Sequence, residues 1–182
     1  MLGYSRIEAA HHARYGRRFF GVADRQHRFV EPTFDLIERG DRLARTGRAN
    51  DQLTAGHAVE VALPADLPML RLDLFLMEHA LANVLDNAAK FAPAGSRIGL
   101  AARIDHDAVA LEVTDRGCGI APGDLPRVFE AFYRGAGPQG RPASGTGLGL
   151  AICRAFVEAN GGSVAASSAG EGRGVTVRLR LP

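Results

Sequence analysis

The sequence predicts an α/β protein in which helices cover one face of a mixed, largely antiparallel sheet, giving a two-layer sandwich. Short runs with strand-like alternation occur in pairs joined by turns, which is typical of hairpins. Two longer segments carry apolar residues at helical spacing and end at proline or glycine. Strands and helices do not alternate regularly, so a sheet built from parallel βαβ units is not expected.

One amphipathic helix is central to the first half of the predicted fold. Alternating apolar residues over 59–63 predict a short strand, and the prolines after it predict a non-helical connection. Asp73 fits the N-cap position of the helix, and Pro93 ends it near Phe91. Its apolar stripe comprises Leu74, Met77, Leu81, Val84, Leu85 and Ala88.

The second half of the fold begins with two strands, Arg97–Ile104 and Ala108–Thr114, joined by a turn at 105–107. A short helical piece is expected over Leu125–Phe132. The stretch after it, up to residue 146, is rich in glycine and proline and is expected to be mobile.

A second helix is predicted from Gly147 to Ala159, with Gly161 as its C-cap. Its inward side chains are expected to be Leu148, Ile152, Ala155, Phe156 and Ala159. Two final strands, Ser163–Ser168 and Val175–Leu181, flank a glycine turn.

Composition limits the classes of protein to which the chain belongs. Its 182 residues are 46% hydrophobic and 23% charged, which suits a packed globular domain. A net charge of +2 gives no indication of a nucleic-acid partner, and no apolar run approaches the roughly 18 residues that span a membrane. The N-terminus lacks the apolar segment of a secretory signal, so we expect a cytoplasmic protein or fragment.

The chain divides into two parts of different character. Residues 1–56 form a poorly specified N-terminal appendage, rich in arginine and partly helical, with a helix expected over Thr33–Arg45. Residues 57–182 have much clearer periodicity and form the predicted domain.

The run N-V-L-D-N-A-A-K at 83–90 places polar groups beside the apolar stripe of the first helix. Asn83, Asn87 and Lys90 recur at i, i+4 and i+7, so they share one flank of the helix. An amide oxygen suits Mg²⁺, and Lys90, the only lysine of the chain, suits a phosphate oxygen. A merely solvated polar flank is the alternative, although asparagine is a mediocre helix former that contributes little to a surface.

The run D-R-G-C-G-I at 115–120 follows a strand directly. The carboxylate of Asp115 is suited to accept a hydrogen bond from an exocyclic amino group such as that of adenine. Gly117 and Gly119 allow a sharp turn or a close approach to a ligand. An ordinary strand-end turn is the alternative when this run is taken alone.

The run S-G-T-G-L-G-L at 144–150 opens the second helix. The backbone N–H groups at a helix start form an anion site, to which Gly145, Gly147 and Gly149 allow close approach. The pattern is not a P-loop, since no Lys-Ser or Lys-Thr follows the last glycine.

In this order the motifs resemble the catalytic, ATP-binding domain of sensor histidine kinases, within the group that includes Hsp90-type, gyrase-type and MutL-type ATPases. The run at 83–90 resembles the N box, 115–120 the G1 box, F-E-A-F-Y-R-G at 129–135 the F box and 145–150 the G2 box. The stretch L-P-A-D-L-P-M-L-R-L-D before the N box resembles the KdpD-type kinases most.

The resemblance implies an open sandwich of the Bergerat type, with ATP between the N-box helix and a mobile lid. Asp115 would then hold adenine, Asn87 would bind Mg²⁺, Asn83 and Lys90 would contact phosphates, and Arg134 would belong to the lid. The implied set of catalytic residues is Asn83, Asn87 and Lys90. The remaining candidate contacts to the nucleotide are Gly117, Gly119, Ile120, Phe132, Gly145, Thr146, Gly147, Leu148 and Gly149.

The resemblance also implies transfer of the γ-phosphoryl group of ATP to a histidine, with a response regulator as a further partner. Hydrolysing relatives carry glutamate four residues before the magnesium asparagine, whereas this chain has Asn83, and an amide is not a useful base. No H-E-x-x-x-P motif is present, so the acceptor histidine is expected on a separate or missing dimerisation domain. The alternatives are a non-catalytic regulatory module and a hydrolysing or anti-sigma-type relative.

Overall fold

The computed structural model describes residues 29–32, 56–64, 66–135 and 145–182. The elements are β1 Phe29–Pro32, β2 Ala58–Ala62, β3 Met69–Leu72, α1 Leu74–Phe91, β4 Arg97–Asp105, β5 Ala108–Thr114, a 3₁₀ turn Leu125–Arg127, α2 Gly149–Ala159, β6 Ser163–Ser167 and β7 Thr176–Leu181. Five strands form one sheet in the order β2-β4-β5-β7-β6, and β1 and β3 form a separate antiparallel pair. Helices α1 and α2 pack on each other and on this sheet.

The sheet is mixed and largely antiparallel, which confirms the predicted fold class. β4, β5, β7 and β6 pair antiparallel, while β2 runs parallel to β4. Strand β5 lies in the middle and ends at Thr114, so Asp115 follows at the edge of the core. The side chains on the covered face of the central strands are buried, among them Ile98, Leu100, Val109, Leu111, Val113 and Leu179.

Helix α1 begins and ends where the sequence indicates. The Asp73 side chain accepts a hydrogen bond from Leu76 N at 3.1 Å, which satisfies a free amide of the first turn. Asp73 N donates to Asn160 Oδ1 at 2.6 Å, which joins the start of α1 to the end of α2. The stripe is buried as expected except for the half-buried Leu74, and Ala80 is buried with it.

The predicted inward face of α2 is partly correct, because Phe156 is half-buried and packs against the core, but the fully buried face is displaced by about one residue. Cys153 and Val157 are the buried side chains of this helix, whereas Ala155 and Ala159 are exposed and Ile152 is 37% exposed. Apolar residues occupy more than one stripe of α2, so the sequence allows two faces about 100° apart. Packing against α1 and β6 selects the face that carries Cys153.

The helical piece expected over Leu125–Phe132 is shorter than predicted. Only Leu125–Arg127 forms a 3₁₀ turn, and turns follow it. Phe132 adopts a left-handed φ of 65°, which is incompatible with continuing the helix.

Strand β1 was not predicted, because no local pattern marks residues 29–32. It pairs with β3 in the register Phe29↔Leu72 to Pro32↔Met69. A segment of the expected appendage is therefore paired with the strand that precedes α1. The helix expected over Thr33–Arg45 and the mobile stretch over 136–144 lie outside the described residues.

Candidate functional site

A cavity of about 490 Å³ opens between α1, the loop after β5 and the start of α2. This volume falls in the range typical of small-ligand sites. The predicted site residues on its wall are Asn83, Asn87, Lys90, Asp115, Gly119, Ile120, Arg134, Gly145, Thr146, Gly147, Leu148 and Gly149. Gly117 and Phe132 do not line it. Tertiary packing thus brings residues of four separate sequence motifs to one cavity.

Asp115 is a buried carboxylate with one oxygen held by the backbone. Its Oδ1 accepts from Gly117 N at 2.7 Å and from Val175 N at 3.3 Å, and the residue is only 8% exposed. Burial raises the pKa of this carboxyl above its usual range, and the two backbone hydrogen bonds partly oppose the rise. Within the described residues no hydrogen bond reaches Oδ2, so that oxygen is left to a ligand in the cavity.

Gly117 supports Asp115 from beneath the cavity floor. Its N–H donates to Asp115 Oδ1, and its buried position leaves no space for a side chain. A Cβ at this position would lie 2.5 Å from the carbonyl oxygen of Phe91, at the end of α1. The glycine of this turn is therefore required by close packing.

The polar flank of α1 faces the start of α2. Asn83 Nδ2 donates to the His79 carbonyl at 2.9 Å, which fixes the amide on the helix surface. A Cβ built on Gly149 would lie 3.2 Å from Asn87 Nδ2 and 3.5 Å from Asn83 Oδ1. A side chain at 149 would press on the Asn87 amide and would be in ordinary contact with the Asn83 amide, so glycine leaves this part of the cavity open.

Lys90 lies at the same end of the cavity, against Gly145. A Cβ on Gly145 would collide with Lys90 Nζ, and the φ of 109° at this glycine is unfavourable for other residues. Leu148 N donates to Thr146 Oγ1 at 3.3 Å, just before α2 begins. A cation, two amides and a helix N-terminus therefore surround one end of the cavity, and this combination suits an anionic ligand.

The segment 124–135 forms the third wall and is tied together by side chains. Tyr133 OH donates to Asp124 Oδ1 at 2.7 Å, and the Arg127 guanidinium lies 4.2 Å from the Tyr133 ring centroid. Phe132 N donates to the Gly147 carbonyl at 2.9 Å, although the Phe132 side chain itself is 72% exposed. Phe132 thus links this wall to the start of α2 through its backbone.

Several residues of the wall were missed by the sequence analysis. Asp86 lies on the same flank of α1 as Lys90, four residues before it, so helical spacing was sufficient to find it. Ile152 and Val175 had no local signal, because only tertiary packing turns them towards the cavity. The sequence predicts Ile152 on the core face of α2, whereas its side chain lies in the cavity wall, which explains its partial exposure.

The described residues include no helix long and apolar enough to cross a membrane.

Comparison with known proteins identifies the family. Residues 73–182 match the family model described as histidine kinase-, DNA gyrase B- and HSP90-like ATPase. The sensor protein KdpD of Clostridium acetobutylicum is 37% identical over 153 residues, which are 84% of this chain and 17% of that protein. The chain therefore spans about a sixth of the length of that relative.

Two solved structures agree with this match. The mycobacterial sensor histidine kinase MprB superposes with a TM-score of 0.67 and 30% identity, over 82% of this chain and 94% of the other. Full-length ShkA in complex with AMPPNP superposes with a TM-score of 0.69 and 27% identity, over 98% of this chain and 36% of the other. This chain belongs to the histidine kinase-, DNA gyrase B- and HSP90-like ATPase family and has the fold of a sensor histidine kinase catalytic domain.

Proposed function

We propose that this chain binds Mg·ATP in the cavity and transfers the γ-phosphoryl group to a histidine of a separate dimerisation domain. The observation that carries the proposal is that one cavity is lined by two kinds of polar group. Asp115 offers a free acceptor in its wall, while Asn83, Asn87 and Lys90 lie beside the residues that open α2. Adenine has an amino donor for the carboxylate, and a triphosphate has negative charge for the lysine and the helix N-terminus.

The residues at the phosphate end fit a magnesium ion. Mg²⁺ binds proteins through one or two oxygen ligands and keeps waters and phosphate oxygens as its other ligands. The Asn87 amide oxygen would supply one such ligand, and Asp86 on the same wall is a second candidate. The bound ion would neutralise charge on the phosphates while Lys90 contacts a phosphate oxygen.

Transfer requires an acceptor histidine, which the proposal places on a separate dimerisation domain. An imidazole nitrogen of the acceptor would form a bond to the γ-phosphorus of ATP. The bond between the γ-phosphorus and the β–γ bridging oxygen would break, and ADP would leave with that electron pair. The site has to position the triphosphate and stabilise its charge, which amides, lysine and a helix N-terminus can do. Hydrolysis would need a base for water, and Asn83 is not basic.

We also propose that the ATP-binding domain extends into residues 1–56. The match to KdpD covers 153 residues, whereas 57–182 contains only 126, so at least 27 matched residues precede residue 57. The pairing of β1 with β3 supports the same extension. We further propose that a response regulator is the next phosphate acceptor. The reaction would take place in the cytoplasm, where ATP is available.

The test has a binding step and a transfer step. The purified chain should bind ATP in calorimetric titrations, more tightly with Mg²⁺ than with EDTA. With γ-labelled ATP and a separately made helical-hairpin domain of a KdpD-type kinase, label should appear on that domain, and a His→Ala acceptor should stay unlabelled. Binding without transfer to any acceptor would favour a regulatory module, and rapid release of free phosphate would favour a hydrolysing relative. Absence of ATP binding would refute the proposal.

A further inference from the structure

The turn between β6 and β7, residues 168–174, is fastened to the loop that carries Asp115, residues 115–120. Gly172 N donates to the Cys118 carbonyl at 2.6 Å, and Gly174 N donates to the Gly117 carbonyl at 3.1 Å. On its other side the Asp115 loop is held by α1, because Cys118 N donates to the Phe91 carbonyl at 3.3 Å. The Asp115 loop is therefore fixed between a helix end and the β6–β7 turn.

Ser168 provides the side-chain link between these two segments. Its Oγ accepts hydrogen bonds from Ile120 N at 3.1 Å and from Gly170 N at 3.3 Å. The same hydroxyl donates to the Gly174 carbonyl at 2.7 Å, with the Gly170 carbonyl at 3.2 Å. One hydroxyl thus closes the β6–β7 turn on itself and attaches it to the Asp115 loop.

The close approach of the two backbones makes this hydroxyl difficult to replace. A Cβ on Gly119 would collide with the Gly170 carbonyl and would lie 3.1 Å from Ser168 Oγ. A Cβ on Gly174 would collide with the Asp115 carbonyl. With two backbones in contact, little space is left for a side chain or water to take over the partners of Ser168.

We propose that Ser168 is a positioning residue for nucleotide binding: it holds the Asp115 loop so that the free carboxylate oxygen stays directed at the base. Ser168 does not line the cavity, so it acts through Ile120 and the β6–β7 turn. The inference rests on the proposed nucleotide site and adds a residue outside the sequence motifs that define it.

The binding test compares four variants. Ser168→Ala and Ser168→Val should raise the Kd of ATP about tenfold, because a half-buried N–H loses its acceptor. The Kd of ADP should rise by the same factor, since the effect acts at the base end. Ser168→Thr keeps the hydroxyl, so its Kd for ATP should stay within about threefold of the wild-type value. Ser167→Ala, an adjacent exposed serine on β6, is the matched control and should leave the Kd unchanged.

A second readout reports on the loop itself. Cys118 lies in the Asp115 loop and is half-buried, whereas Cys153 is fully buried in α2. Ser168→Ala should speed the reaction of Cys118 with a thiol reagent severalfold, while the reaction of Cys153, which reports on unfolding, should stay the same. Equal acceleration of both thiols would indicate a purely structural role and would overturn the inference.

The outcomes separate this inference from the proposed function. Wild-type binding of ATP together with an unchanged Kd in Ser168→Ala would overturn the positioning role alone. Lack of ATP binding by the wild type would overturn both. Should the alanine variant fail to fold, amide exchange in the wild type decides. A slowly exchanging Ile120 N–H supports the link, and an Ile120 N–H that exchanges as fast as an exposed amide contradicts it.

Discussion

Replacing Asp115 by asparagine gives the sharpest test of the base end of the cavity. The amide oxygen of Asp115→Asn can keep both backbone hydrogen bonds, which come from Gly117 N and Val175 N at 2.7 and 3.3 Å. Its NH₂ group then takes the place of the free acceptor Oδ2 and meets the amino group of adenine donor to donor. Removing a hydrogen bond to a charged group costs about 1.5–3 kcal/mol, so the Kd of ATP should rise about ten- to more than hundredfold.

The same substitution should leave folding stability at neutral pH unchanged or higher, because it removes a buried charge. Burial raises the native pKa of Asp115 above its ordinary value of 3.8, so the native state binds the proton more tightly than the unfolded chain does. The stabilisation from this proton is complete below pH 3.8 and is lost as the pH rises through the raised native pKa. As the pH rises from 3.8 through the raised native pKa, the free energy of unfolding of the wild type should therefore fall relative to that of Asp115→Asn.

Calorimetric titration with ATP and urea unfolding across this pH range measure both effects on the same samples. Asp107→Asn is a charge-matched control, because this carboxylate lies in the turn between β4 and β5, at the opposite end of β5 from Asp115, and pairs with Arg180. A Kd within twofold of wild type, with the variant folded, would refute the assignment of Asp115 to the base. Equal pH profiles for the two proteins would refute the burial argument.

Three further predictions concern the other walls. Mg²⁺ should increase the affinity for ATP, and Asn87→Ala should reduce this increase about tenfold. The measurement is the Kd of ATP with Mg²⁺ and with EDTA, and an unchanged ratio of the two would show that Asn87 is not a metal ligand. Gly147→Ala should lower the free energy of unfolding by more than Gly95→Ala in urea melts. Both glycines have φ near 75°, but a Cβ at 147 would lie 2.8 Å from the Phe132 and Tyr133 backbone, whereas the space at 95 is open. ATP should protect Cys118 from alkylation, since this thiol lines the cavity. Cys153 is the internal control: burial raises the pKa of this thiol to about 12, so it should react only on unfolding. Labelling of Cys118 at the same rate with and without ATP would contradict the proposed site.

Local sequence patterns were sufficient for the elements and motifs that depend on spacing along the chain. The cap at Asp73, the stripe on α1 and the hairpin from β4 to β5 follow from periodicity and turn chemistry, which act over a few residues. The same patterns predicted α2 and the core packing of Phe156 but not its fully buried face, because two apolar faces compete on this helix. They also failed for β1, whose partner lies about 40 residues away in the chain.

The sequence by itself determined which groups are candidates for a nucleotide site: an acid after a strand, two amides and a lysine on one helix flank, and glycines before a second helix. Only the tertiary structure decided that these groups share one cavity, which of the Asp115 oxygens is free, and that Ser168 holds the loop beneath it. The physical reason is range. Propensity and periodicity act between near neighbours, whereas contacts between the β6–β7 turn and the Asp115 loop join residues about 50 positions apart, and only the packed sheet brings them within hydrogen-bond distance.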